Sequence, residues 1–127
     1  MEYLHILGRI LFGGYFIFNG FNNLANSKMM VGYAQSKKVP MASVGVPIAG
    51  VILFAGGLSF VFDFHALAGS LLLIIFIVPA TFMIHNFWKI QDSTQKMAEM
   101  VNFTKNLALL GALILFAVLR HTKGVSL

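Results

Sequence analysis

The sequence predicts an all-α integral membrane protein, a four-helix transmembrane bundle with a short interfacial helix in its first long loop. Three observations carry that prediction. The 127 residues are 58% hydrophobic and 10% charged, against about 45–50% and about 25% in ordinary soluble domains. Four apolar runs meet the roughly 20 residues needed to cross a bilayer core. Polar and basic residues gather between the runs. Four acids and nine bases do not cover a soluble domain this small, whose surface is large relative to its core. One membrane domain is expected over residues 1–127.

The first run lies near Leu4–Leu24. His5, Arg9, Gly13, Phe16, Gly20 and Asn23 recur at three- or four-residue steps and so share a face. A stripe that is charged, small and polar belongs against other helices, because lipid offers it no partners. The second run, near Val44–Phe62, is uncharged, with Pro47 in its first turn and Gly50, Gly56 and Gly57 suited to close crossings. The third, near Ala66–Asn86, contains Pro79. That proline should free the Ile75 carbonyl, which Thr81 or a neighbouring helix is expected to satisfy. The fourth lies near Met100–Arg120.

Phe62-Asp63-Phe64-His65 reads as a tight turn joining the second and third runs. In the first loop, Met29, Met30, Tyr33 and Ala34 fall on one face, flanked by Lys28, Lys37 and Lys38. That pattern suits a helix lying among lipid headgroups, ended by Val39-Pro40. The connection from Phe87 to Glu99 is the most polar stretch and reads as a loop.

The net charge of +5 does not indicate nucleic acid, since the bases sit at the ends of apolar runs, where lipid headgroups and topology account for them. Lys28, Lys37, Lys38, Lys89, Lys96 and Lys105 fall on one side, and Arg9, Arg120 and Lys123 on the other. The positive-inside rule then places both termini outside the cytoplasm, and a prokaryotic inner membrane is the expected location. Glu2 stands where a signal peptide carries basic residues, so no removable leader is expected. The chain has no cysteine, hence no disulfide and no thiol chemistry of its own.

Three polar clusters are candidates. His85 and Asn86 close the third run before Trp88, a natural belt residue. Asn102, Lys105 and Asn106 share a face of the fourth, where Lys105 either snorkels or pairs with Glu99. Asn19, Asn22 and Asn23 end the first run on the same side, so these groups are expected to form one site for a polar headgroup or a partner loop. Arg9 and His5 start on the opposite side and are assigned to a second polar site near the Asp63 turn. The histidines His5, His65, His85 and His121 lack ligand spacing, so neither a metal nor a haem site is expected. No phosphate loop, nucleophile elbow or dinucleotide fingerprint occurs.

Gly8-Arg9, Asn19-Gly20, the Tyr33 to Pro40 loop, Gly56-Gly57 and Pro79-Ala80-Thr81 occur in that order, followed by His85-Asn86-Phe87-Trp88 and the Glu99–Leu107 stretch. In order and spacing they resemble the DoxX family of membrane proteins, over about Leu7 to Phe116. The resemblance implies a four-helix membrane bundle and a link to a thiosulfate:quinone oxidoreductase subunit, to partners of membrane redox and oxidative-stress proteins, or, more distantly, to cargo receptors. Many relatives carry an acid one turn before the paired glycines; here Leu53 stands there, so Arg9 needs another partner.

Three functions follow as alternatives: an accessory subunit of a membrane redox or respiratory system contacting quinone or lipid, a stand-alone sulfur-compound:quinone oxidoreductase, and a small transporter or cargo receptor. The first is preferred, because no catalytic motif or cysteine supports the second. A peripheral or membrane oxidoreductase is the partner it implies.

Overall fold

The computed structural model describes residues 1–122 of the chain, so Lys123 lies outside the described residues. Its elements are α1 (Glu2–Ala25), α2 (Ser27–Ser36), α3 (Ala42–Val61), α4 (Ala66–Met83), a 3₁₀ turn at Phe87–Lys89, and α5 (Ser93–Thr122). The described residues contain no strand. Four helical segments are long and apolar enough to cross a membrane: Glu2–Ala25, Ala42–Val61, Ala66–Lys89 and Ser93–Thr122. Leu11, Phe18, Ile75 and Leu115 stand exposed on their outer faces, as expected where lipid is the solvent. The protein is thus a multi-pass integral membrane protein.

The tightest contact joins α1 to α3. Gly13 lies against Gly57, and Gly20 against Gly50, at matched seven-residue steps along antiparallel helices. A Cβ on Gly20 would sit 2.6 Å from the Gly50 carbonyl oxygen and equally close to the Phe54 nitrogen. Only hydrogen fits there, and the close backbone approach supplies the dispersion contact that holds helices together in lipid. Around this seam Phe16, Leu53, Phe60, Leu73, Ile77 and Leu113 form the core. Edge-on ring pairs Phe12–Phe16 and Phe12–Phe60, each at 5.1 Å, extend it, in the geometry that ring quadrupoles favour.

The other helices pair differently. The hairpin turn brings α4 against α3, and α5 packs on α4 and on the 3₁₀ turn. The backbones of α1 and α5 stay apart, and two separate hollows lie along the seam between them. At one end of the seam lies α2; at the other lies the Phe62–His65 turn, where Asp63 and His65 adopt positive φ.

Three sequence expectations are corrected. The fourth helix begins at Ser93, seven residues before Met100. Asp92 caps it, its Oδ2 accepting the Gln95 amide at 2.9 Å, a device that needs no apolar run to start a helix. Glu99 is therefore helical and buried, not part of a loop. The third helix proper ends at Met83, short of Asn86. Finally, α4 runs through Pro79, and Thr81 does not relieve it, since its hydroxyl is buried without a hydrogen bond.

Two expected outcomes test this arrangement. Gly20→Ala should destabilise the bundle by about 1–3 kcal/mol through overpacking. Gly14→Ala, with open space around it, should stabilise α1 by up to about 1 kcal/mol. Thermal melts in detergent read both, and equal shifts would refute the glycine seam. Cysteines placed at Ser36 and Ser93 should label from one membrane face only; labelling from opposite faces would refute the topology.

Candidate functional site

The α2 end of the bundle is organised around one carboxylate. Glu99 is 7% exposed and draws in groups from every neighbouring segment. The Tyr33 hydroxyl of α2 donates to Oε2 at 2.8 Å. The Asn102 amide, one turn along α5, donates to Oε1 at 3.0 Å. His85 Nδ1 lies 3.3 Å from Oε2, and Lys37 Nζ lies 3.8 Å from the same oxygen. Lys37 also donates to Asn86 Oδ1 at 3.2 Å, tying the end of α2 to the chain after α4. A buried carboxylate without such donors would be strongly unfavourable.

Burial and the adjacent carboxylate push the Tyr33 phenol up to about 12. Because its folded value is raised, its stabilising bond is complete below pH 10 and is lost as pH rises through about 12. Phe82, Phe87, Trp88 and Phe103 form an edge-on aromatic cluster that fixes the 3₁₀ turn, with Trp88 against Phe103 at 5.6 Å. Trp88 remains half-exposed, consistent with a belt position.

Inside this network lies a cavity of about 240 Å³. His85, Lys105, Asn106, Asn19, Asn23 and Tyr33 supply its polar wall. Tyr15, Phe16, Leu53, Phe76 and Leu109 supply its apolar wall. A second, almost wholly apolar chamber of about 300 Å³ adjoins it, sharing Asn23, Ala34, Phe76 and Ala80 and lined by α3 and by the Ile75–Pro79 stretch of α4.

The structure thus gathers His85, Lys105, Asn106, Asn19 and Asn23 around one cavity. Asn86 and Asn102 do not line it; they sit behind, bonded to Lys37 and Glu99. Asn22 accepts a bond from Asn26 and also stays outside. Of the two alternatives for Lys105, the pair with Glu99 does not form. Lys105 instead turns toward α1, its ammonium 5.5 Å from the centre of the Tyr15 ring, a cation–π arrangement. Leu53 packs in the core and faces the cavity as an apolar wall. Arg9 takes Asp63 as partner, at 3.3 Å, and lines a separate groove with His5. Among the described residues no group of three histidine or acidic side chains is placed to hold a metal ion.

Sequence reasoning missed Glu99 as the centre, along with Tyr33, Lys37 and Tyr15. One signal was present: in a chain with four acids, each carboxylate near lipid must be partnered.

Fold and site together define a small multi-pass membrane protein that encloses a polar-headed cavity between its helices. A family model, DoxX, matches residues 4–86, well over half of the sequence. The chain belongs to the DoxX family. The matched stretch ends at Asn86, so α5 with Glu99 and Lys105 lies beyond it. No curated protein and no solved structure matches the chain.

Glu99→Ala should leave Tyr33, His85 and Asn102 without their shared acceptor and cost about 3–5 kcal/mol, the range for breaking a buried pair. Tyr33→Phe should cost about 1.5 kcal/mol, at the low end for a bond to a charge, because Tyr33 is 43% exposed. In the double variant the Tyr33 effect should vanish. Additive losses in melting experiments would refute a network centred on Glu99.

Proposed function

We propose that the protein is an accessory subunit of a membrane redox system, in the cytoplasmic membrane of a prokaryote, that holds a quinone-class ligand. One observation supports this most: a polar-lined cavity and an apolar hollow of similar size lie side by side and share Asn23, Ala34, Phe76 and Ala80 in their walls. That pairing suits a molecule with a polar head and a long hydrocarbon tail. The first chamber, of about 240 Å³, has room for a substituted ring. Lys105, Asn106 and Asn19 bring N–H donors to its wall, matching a ring whose polar atoms are carbonyl acceptors. Tyr15 and Phe76 add aromatic side chains to its lining, which suit contact with such a ring.

The residues present thus fit a quinone. When bound, it would supply two-electron chemistry that this cysteine-free chain does not provide by thiols. Lys105 and Asn106 would hold the head, and the chamber beside Pro79 would take the first part of the tail. The electron donor would be a partner oxidoreductase, with this protein presenting the ligand. The rim formed by Lys37, Lys38 and Lys89 around a neighbouring hollow offers such a partner a basic surface.

Lys105→Met removes a donor from the cavity and breaks no hydrogen bond of the Glu99 network. Purified in mild detergent, wild type should retain isoprenoid quinone, and the variant should retain at least about tenfold less at an unchanged melting temperature, a difference equivalent to one lost charge-assisted bond of about 1.4 kcal/mol. Equal quinone content in the two proteins would overturn the assignment.

A further inference from the structure

The far end of the bundle holds an ion cluster unrelated to the cavity. Arg9 of α1 and Arg120 of α5 both bond to Asp63 in the α3–α4 turn, Arg9 at 3.3 Å. Among the described residues Asp63 is the carboxylate paired with either guanidinium. Two cations therefore share one anion, and one positive charge is left uncompensated. Glu2, the other acid of this end, is exposed at the start of α1.

The Arg9 Nε is also buried and makes no hydrogen bond. A guanidinium nitrogen left this way lacks an acceptor that its neighbours do not supply. Beside it, a groove of about 290 Å³ opens along the α1–α5 seam, walled by Leu4, Gly8, Phe12, Ala112 and Phe116. His5 adds a further polar group at the rim. The groove is apolar along its length and cationic at its end.

From this we infer that the Arg9–Asp63–Arg120 cluster and the α1–α5 groove form a binding site for an anionic phospholipid. The phosphate accepts from the accessible terminal guanidinium nitrogens that Asp63 leaves free, not from the occluded Nε, and balances the surplus charge, and one acyl chain lies in the groove against Phe12 and Phe116. A zwitterionic lipid brings its own cation and does not balance the charge. Guanidinium groups suit this task because their planar donors match phosphate oxygens.

Native mass spectrometry of the full chain, released from nanodiscs of mixed phosphatidylcholine and phosphatidylglycerol, tests the site. Wild type should retain phosphatidylglycerol in roughly fivefold preference, the effect of about one charge at a membrane surface. Gly8→Leu and Ala112→Leu fill the groove from opposite walls and leave the ion cluster intact. A Cβ on Gly8 meets nothing within 4 Å, so that variant should fold normally and lose the preference. Inorganic phosphate alone should not displace the lipid. Equal retention of both lipids by wild type, an undiminished preference in a folded groove-filling variant, or displacement by free phosphate would each overturn the proposal. Quinone content is read separately and depends on the opposite end of the bundle.

Discussion

The burial of Glu99 constrains this structure more than any other single fact. A carboxylate removed from water needs donors on both oxygens, or its charge becomes untenable. The donors come from three places: Tyr33 on α2 with Lys37 just after it, His85 beyond α4, and Asn102 on α5 itself. An amphipathic segment that would otherwise float in the headgroup layer is thereby folded back over the bundle. Tyr33 cannot reach the carboxylate unless α2 lies across the mouth of the cavity, and Ala34 is buried beside it as a result. The bond to Glu99, together with the packing of α2 on α3, thus closes one side of the cavity.

Much of the fold was legible because lipid imposes a simple rule. Backbone groups in hydrocarbon must be paired within the segment, so apolar length identifies helices. That rule located the cores of all four spans. It failed at their ends, where helices leave the hydrocarbon and other signals govern. The early start of α5 was written in Asp92 and Gln95, a cap with no hydrophobic signature. The stripe on α1 was legible as a packing face, and Gly13 and Gly20 indeed meet α3.

The candidate site was legible in part, for a related reason. Helical spacing shows which residues share a face and which end they occupy, so His85, Lys105, Asn106, Asn19 and Asn23 emerged as neighbours. It does not show which partner wins when several lie within reach. Lys105 had a carboxylate nearby along the chain, yet Asn102, Tyr33 and His85 fill the oxygens of Glu99, and the lysine turns to the Tyr15 ring. Pairings across helices depend on rotation and depth, which no single sequence encodes in readable form.

The Arg9–Asp63 pair carries an implication for how the molecule is made. The first helix is the least apolar of the four spans, with a mean hydropathy of 1.2 against 2.1 for the next, and it bears an arginine that no residue of its own helix neutralises. Its counter-ion lies beyond α3, so it does not exist while α1 alone has left the ribosome. Until the hairpin turn emerges, the first span has neither its ion pair nor the glycine surface of α3 to settle against. The α1–α3 pair, with its ion pair and its glycine contacts, is therefore complete only once the chain has been made through Asp63.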